Sequence, residues 1–197
     1  MNWHKLKNPT LINKFRILKD QKRAQTKKDL FKEYIPSHSK IIDIGTGSGQ
    51  FSLILKEDGH QITSVDIKDK TNTNLITPTV YDGEKLPFEN NCFDISMLIT
   101  VLHHCPKPEK VFQEAVRVSK SRIFVLEDVY TNKLMKYLTW GMDSLMNLEF
   151  FGHPHTNKSE GEWEALFMEN NLTVIHKKRV KVLFIFTQVV YALEKKA

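Results

Sequence analysis

The stretch Asp43-Ile44-Gly45-Thr46-Gly47-Ser48-Gly49 decides the fold. It continues from Lys40-Ile41-Ile42, a short apolar run that reads as a strand, and leads into Phe51 to Lys56, which reads as a helix stopped near Gly59. Glycines between a strand and a helix permit positive φ and let a ligand approach the main chain, so they mark a site at the carboxyl edge of a sheet. The spacing departs from the dinucleotide fingerprint: Gln50 stands where the register from Gly45 needs its last glycine, and the register from Gly47 ends on Ser52. The Walker pattern fails, because no Gly-Lys-Ser/Thr follows at the required distance. Asp43, two residues before the first glycine, would repel a pyrophosphate and attract a cation. The loop therefore suits a positively charged ligand.

Outward from the loop the elements alternate. Before it, Leu11, Ile12, Phe15 and Leu18 recur at helical spacing, and Leu30, Phe31 and Tyr34 predict a second lead-in helix ended by Pro36. After it come strands at Gln61–Ile67, Thr79–Tyr81 and Phe93–Ile99, with a polar linker around Thr71 to Asn74. A helix opened by Pro106 and Pro108, striped with Val111, Phe112, Ala115 and Val116, precedes a strand at Arg122–Leu126. A Met- and aromatic-rich helix is expected over Lys133–Asn147, a loop over Phe150–Lys158, and a helix over Glu160–Glu169 with Ser159 and Glu162 spaced as a capping box. Two β-rich runs, Leu172–Lys177 and Phe184–Leu193, are joined so tightly that they must pair antiparallel. The pattern predicts an α/β, Rossmann-like, mainly parallel seven-stranded sheet with helices on both faces and an antiparallel C-terminal strand pair. One domain is expected over 1–197, divided into a helical lead-in 1–39, a ligand-binding core 40–130, a variable insertion 131–158 and a C-terminal helix and strand pair 159–197.

Composition bounds the function. The 41% hydrophobic and 26% charged residues argue against disorder, collagen-like repeats or a disulfide scaffold. Two cysteines, Cys92 and Cys105, and an N-terminus without an apolar leader imply a reducing cytoplasm. The most apolar late run, Val182 to Leu193, is too short for a spanning helix and holds Gln188, so no membrane span is expected. The net charge of +6 is concentrated in residues 1–40, with 11 Lys/Arg against 3 Asp/Glu. Such an arm attracts RNA, acidic lipid or an anionic substrate, or simply serves as a solvated helix face.

Three residues beyond the loop narrow the ligand. Asp66 ends the second strand, where a carboxylate can accept hydrogen bonds from both ribose hydroxyls. Ile67 can cover one face of a base; Asp82 can accept from an exocyclic amine, and the Gly83 amide can serve a ring nitrogen. Ribose, adenine and a cationic tail together describe S-adenosyl-L-methionine.

At this point the chain resembles the class I S-adenosylmethionine-dependent methyltransferases, in particular the small single-domain, type 11-like group. The resemblance rests on "DIGTGSG", "VDI", "YDGEKLPF" and "FDISMLITVLHHCPKPEKVFQEAVRVSKSRIFVLED", covering about residues 40–128. It implies that Asp43, Gly45, Thr46, Gly47 and Gly49 surround the methionine part, Asp66 and Ile67 the ribose and base, Asp82 and Gly83 the adenine, and that Thr100 meets the cofactor after the fourth strand. Where such proteins often have Pro-Gly-Gly before the fifth strand, this chain reads Val118-Ser119-Lys120-Ser121-Arg122, a shortened or stiffened turn.

No metal site is expected, because His103 and His104 lack further ligands at metal-like spacing. The resemblance makes His103 a structural part of its turn. His104, His153 and His155 are the candidates for substrate contact or a general base, each also readable as a solvent-facing or structural histidine. Trp140, Met142, Met146, Phe150 and Phe151 suggest a core or dimer face, or an apolar or aromatic substrate wall. The implied reaction is in-line methyl transfer to a small-molecule acceptor. The rivals are RNA methylation, which lacks an Asn-Pro-Pro-Tyr-type tetrad at Ile99-Thr100-Val101-Leu102, and cofactor binding without turnover. Nucleic acid is thus the less favoured partner, and the sequence leaves the oligomeric state open.

Overall fold

A computed structural model of the chain describes residues 11–130, 156–182 and 186–196. The elements are α1 (Leu11–Asp29), β1 (Lys40–Ile44), α2 (Gln50–Glu57), β2 (Gln61–Asp66), β3 (Thr79–Val80), β4 (Phe93–Ile99), α3 (Pro108–Val118), β5 (Ser119–Val129), α4 (Glu160–Glu169), β6 (Leu172–Val182) and β7 (Phe186–Lys195). The strands form one sheet in the order β3-β2-β1-β4-β5-β7-β6. The first five run parallel, and β7 pairs antiparallel with both β5 and β6. This is the expected mainly parallel seven-stranded sheet with its antiparallel end.

Alternation along the strands sorts side chains onto two covered faces. Ile42, Ile44, Ile123, Val125, Val189 and Tyr191 pack with residues of α3 and α4 such as Phe112, Trp163 and Phe167. Ile41, Ile95, Met97, Phe124, Leu126 and Val190 pack with Ala24, Phe31, Phe51 and Leu55 on the α1 and α2 side. The strand order reverses between β1 and β4, and the carboxyl ends of these strands frame the crevice where open α/β sheets bind ligands.

Several expectations are corrected. Among the described residues one long helix, α1, precedes the sheet, and the predicted second helix is only a 3-10 turn over Lys32–Tyr34. Phe15 and Leu18 are 68% and 45% exposed, whereas Ile17, Ala24 and Phe31 are buried. The inward stripe of α1 is thus a different one. The polar linker expected after β2 is an irregular connection, and it is packed inward: Thr71, Asn72 and Thr73 are buried, and Asn72 bonds Ser48, Gln50 and Asp20 behind the glycine loop. The shortened turn expected before the fifth strand is reduced to a direct junction, with α3 ending at Val118 and β5 beginning at Ser119. The Ser159–Glu162 capping box is present, with both reciprocal bonds formed. The helix expected over Lys133–Asn147 and the aromatic residues around it lie outside the described residues.

At its edges the sheet ends on β3, two residues long, and on β6, which carries Lys177, Lys178, Arg179 and Lys181. Glu160 of α4 pairs with both Lys177 and Arg179.

Candidate cofactor site

The glycine loop turns sharply because Gly45, Gly47 and Gly49 adopt φ values of 78°, 54° and 78°. Gly45 and Thr46 donate their amides to Val65 O at 2.8 and 3.1 Å, tying the loop to the end of β2. A Cβ on Gly45 would lie 2.3 Å from Cγ2 of Val101, so the loop and the segment after β4 touch there. Asp66 accepts the Gly47 amide on Oδ2 at 2.8 Å, which places the proposed ribose acid directly against the loop. Ile67 is 54% exposed, and a Cβ on Gly83 would meet its Cγ2 at 3.2 Å. The Ile67 side chain and the Gly83 backbone therefore face each other, and Tyr81 N donates to Asp66 O at 3.1 Å to hold the two segments together. Asp82 is exposed and accepts the Glu84 and Lys85 amides on Oδ1, a bonding pattern that holds its own turn.

Asp43 lies behind the loop, buried on the α1 and α2 side of the sheet. Ser52 Oγ donates to its Oδ2 at 2.6 Å and lies 2.8 Å from Ser64 Oγ. Burial, with the Asp66 charge adding to it, raises the Asp43 pKa to about 6, against the stabilising bond from Ser52. A cation brought to this carboxylate would favour its ionised form.

The other wall is the turn over Leu102–His104 after β4. Thr100 holds φ 59°, rare for a β-branched residue, with its amide bonded to Leu126 O at 2.7 Å. Glu127 of β5 is wholly buried and organises the turn. Its Oε1 accepts the Val101 and Leu102 amides at 2.9 and 2.7 Å, while its Oε2 lies 2.5 Å from His103 Nδ1. His103 is a structural part of the turn, as the resemblance implies. Thr156 Oγ1 donates among the carbonyls of Leu102, His103 and Cys105, pinning the chain after the undescribed segment to the same turn. His104 is half-buried with its ring centroid 4.0 Å from that of His103. His153 and His155 lie outside the described residues. Burial pushes the Cys105 thiol up to about 12, with the Glu127 and Asp66 charges adding, so it is no thiolate nucleophile at neutral pH.

Besides Thr156, two residues of this site do not show themselves in the sequence. Glu127 shows itself only as an acid inside an apolar strand. Lys27 hides in a lysine-rich helix, yet its Nζ donates to Thr100 Oγ1 at 2.9 Å. Among the described residues no group of three His, Cys, Asp or Glu could hold a metal, and no helix is long and apolar enough to cross a membrane.

Residues 42–125 match the family model described as a methyltransferase domain, and the sheet order and glycine crevice agree with it. This is the class I S-adenosylmethionine-dependent methyltransferase fold. The same methyltransferase fold is seen in magnesium protoporphyrin IX methyltransferase from Synechocystis PCC 6803, solved with bound SAH, at TM-score 0.66 and 14% identity over 95% of this chain and 88% of that one. A SAM-dependent methyltransferase from Methanosarcina mazei superposes at TM-score 0.62, 20% identical, over 84% of this chain and 96% of that one. Among curated proteins, the mitochondrial 2-methoxy-6-polyprenyl-1,4-benzoquinol methylase of Caenorhabditis elegans is 28% identical over 131 residues, 54% of this chain. The chain spans less than half of that relative, 46% of its length.

The residues fit the adenosyl cofactor of this fold. The positive-φ glycines leave open backbone, Asp66 supplies carboxylate acceptor capacity, Ile67 presents an exposed apolar side chain beside the Gly83 backbone, and Asp43 contributes a buried acid suited to a cation.

Proposed function

We propose that this chain is a methyltransferase that binds S-adenosyl-L-methionine in the crevice between β1, β2 and β4 and passes its methyl group to a small-molecule acceptor. The observation that carries the reading is the Asp66 carboxylate bonded to the Gly47 amide, with buried Asp43 behind it. Together they make an acidic glycine cradle, which disfavours a dinucleotide pyrophosphate. When bound, the cofactor supplies an already electrophilic methyl on a sulfonium. The chain's residues therefore have mainly to align and to exclude water. The glycine loop and Asp66 would hold the ribose and methionine parts, Ile67 and Gly83 would enclose the base, with Asp82 at its edge, and Thr100 would close the crevice after β4. His104 is the described candidate for acceptor contact or proton removal, and His153 and His155 are the candidates in the undescribed segment. An apolar or aromatic acceptor is supported by the names of relatives that act on polyprenyl benzoquinol and sterol compounds. The basic α1 supports RNA as the second reading.

The test has two arms. Calorimetry should detect S-adenosylhomocysteine binding, weakened by about 1–3 kcal/mol in Asp66→Ala; saturable NAD binding without it would sink the cofactor reading. A cell extract incubated with the protein and isotopically labelled methyl donor should yield a labelled small molecule by mass spectrometry. Label only in RNA would favour the second reading, and cofactor binding without any labelled product would favour a non-catalytic binding protein.

A further inference from the structure

Lys27 has no role in the methyl-transfer reading above, yet α1 carries it into the site. It lies on the inward stripe of the helix, between Ala24 and Phe31, both buried. Its ammonium reaches the end of β4, at Thr100 Oγ1. Alternation along β1 turns Asp43 toward the same side as Ile41, and alternation along β5 sets Asp128 in register with Phe124 and Leu126, the face that α1 and α2 cover. Lys27 is therefore a half-buried cation beside the end of β4, among carboxylates of β1 and β5. Burial lowers its pKa, while the charges of Asp128, Glu127 and Asp43 oppose that shift.

The charges of the cofactor explain why such a cation belongs there. Beyond adenosine, S-adenosylmethionine carries a sulfonium, an ammonium and a carboxylate. The acids of this edge suit the two cations and repel the carboxylate. A carboxylate taken out of water requires a cation or several donors. Lys27 brings a cation to this edge, on a flexible stem that can exchange the Thr100 hydroxyl for a stronger acceptor.

We propose that Lys27 anchors the carboxylate of the cofactor's methionine end, which makes α1 a working wall of the cofactor site. The assignment rests on the cofactor reading above and predicts a selective loss. S-adenosylhomocysteine keeps the carboxylate, and 5′-methylthioadenosine lacks the whole amino-acid end. By calorimetry on the full chain, Lys27→Met should weaken S-adenosylhomocysteine binding by about tenfold or more and leave methylthioadenosine binding nearly unchanged. Lys27→Arg should retain most of the affinity. The unaltered protein should bind decarboxylated S-adenosylmethionine about tenfold more weakly than S-adenosylmethionine, a comparison that needs no variant to fold. Equal losses for both ligands in Lys27→Met, with a lower unfolding midpoint, would make Lys27 a clamp holding α1 to the sheet and overturn the assignment. Unchanged homocysteine-ligand affinity would overturn it as well, with the cofactor reading intact. A wild-type chain that binds neither ligand overturns both.

Discussion

The two walls of the crevice are built from opposite materials. The Asp43–Gly49 loop is shaped by backbone freedom, with three glycines at positive φ and short bonds to the end of β2. The turn after β4 is held by buried charge, with one glutamate satisfying two amides and a histidine, and a threonine from beyond the undescribed segment tying down the carbonyls. A backbone-built wall is written locally in the chain. A charge-built wall is assembled from residues that only folding brings together, so removing one member exposes several partners at once.

That contrast can be broken most severely at Glu127. Glu127→Ala leaves two amides and buried His103 without their acceptor and should cost about 3–5 kcal/mol in urea unfolding. Glu127→Gln keeps one oxygen and should cost clearly less. A loss within about 0.5 kcal/mol in both would mean that water replaces the carboxylate and that the wall is not charge-built.

A smaller effect tests where the walls meet. Gly45→Ala combines a positive φ with a Cβ 2.3 Å from Val101 Cγ2 and should destabilise by about 2–4 kcal/mol. Adding Val101→Ala should recover part of this, leaving only the backbone strain. Additive losses in a double-mutant cycle would show that the walls do not press on one another.

The smallest effect is a pH slope. In the folded chain the Asp43 pKa is raised from 3.8 to about 6, so the folded state holds a proton that the unfolded state has released. Stability from this group is present below the ordinary carboxylate pKa and lost as pH rises through about 6. Compared with Asp43→Asn, the wild type should therefore lose stability over that window in urea titrations. Parallel pH profiles would place the proton elsewhere. A cationic ligand should reverse the trend, so S-adenosylmethionine affinity should rise through the same window.

The same contrast governs what the sequence reveals. Asp43 to Gly49 and Asp66 to Gly83 could be read as contiguous motifs, and the structure brings Gly47 to Asp66 and Ile67 to Gly83. Glu127 and Thr156 could not, because nothing local in "VLED" or "HTNK" says which turn they hold. In α1, counting apolar residues selected Phe15 and Leu18, which face solvent. The buried stripe through Ile17, Ala24 and Phe31 includes Asp20 and Lys27, and their polarity concealed it. Polar residues spaced along a helix's apolar stripe are the sequence signal for such inward contacts. The fifth strand extends beyond Arg122–Leu126 at both ends for a related reason: Ser119 and Arg122 pair with β4 across a register shift, and Glu127 pairs with Val189 of β7, although their polar side chains read as a turn and a terminus.

The two ends of the sheet bear on how copies of this chain meet one another. An open strand edge is a template for adding a further strand, and long parallel sheets are exposed to that hazard while folding. Among the described residues one end offers only the two residues of β3, and at the other an incoming strand would face the cationic side chains of β6. The Glu160 pairs hold part of that charge in place, leaving Lys178 and Lys181 as gatekeepers. Crowded copies should thus resist edge-to-edge polymerisation, and neutral replacements along β6 would be the place to look for fibrillar aggregates.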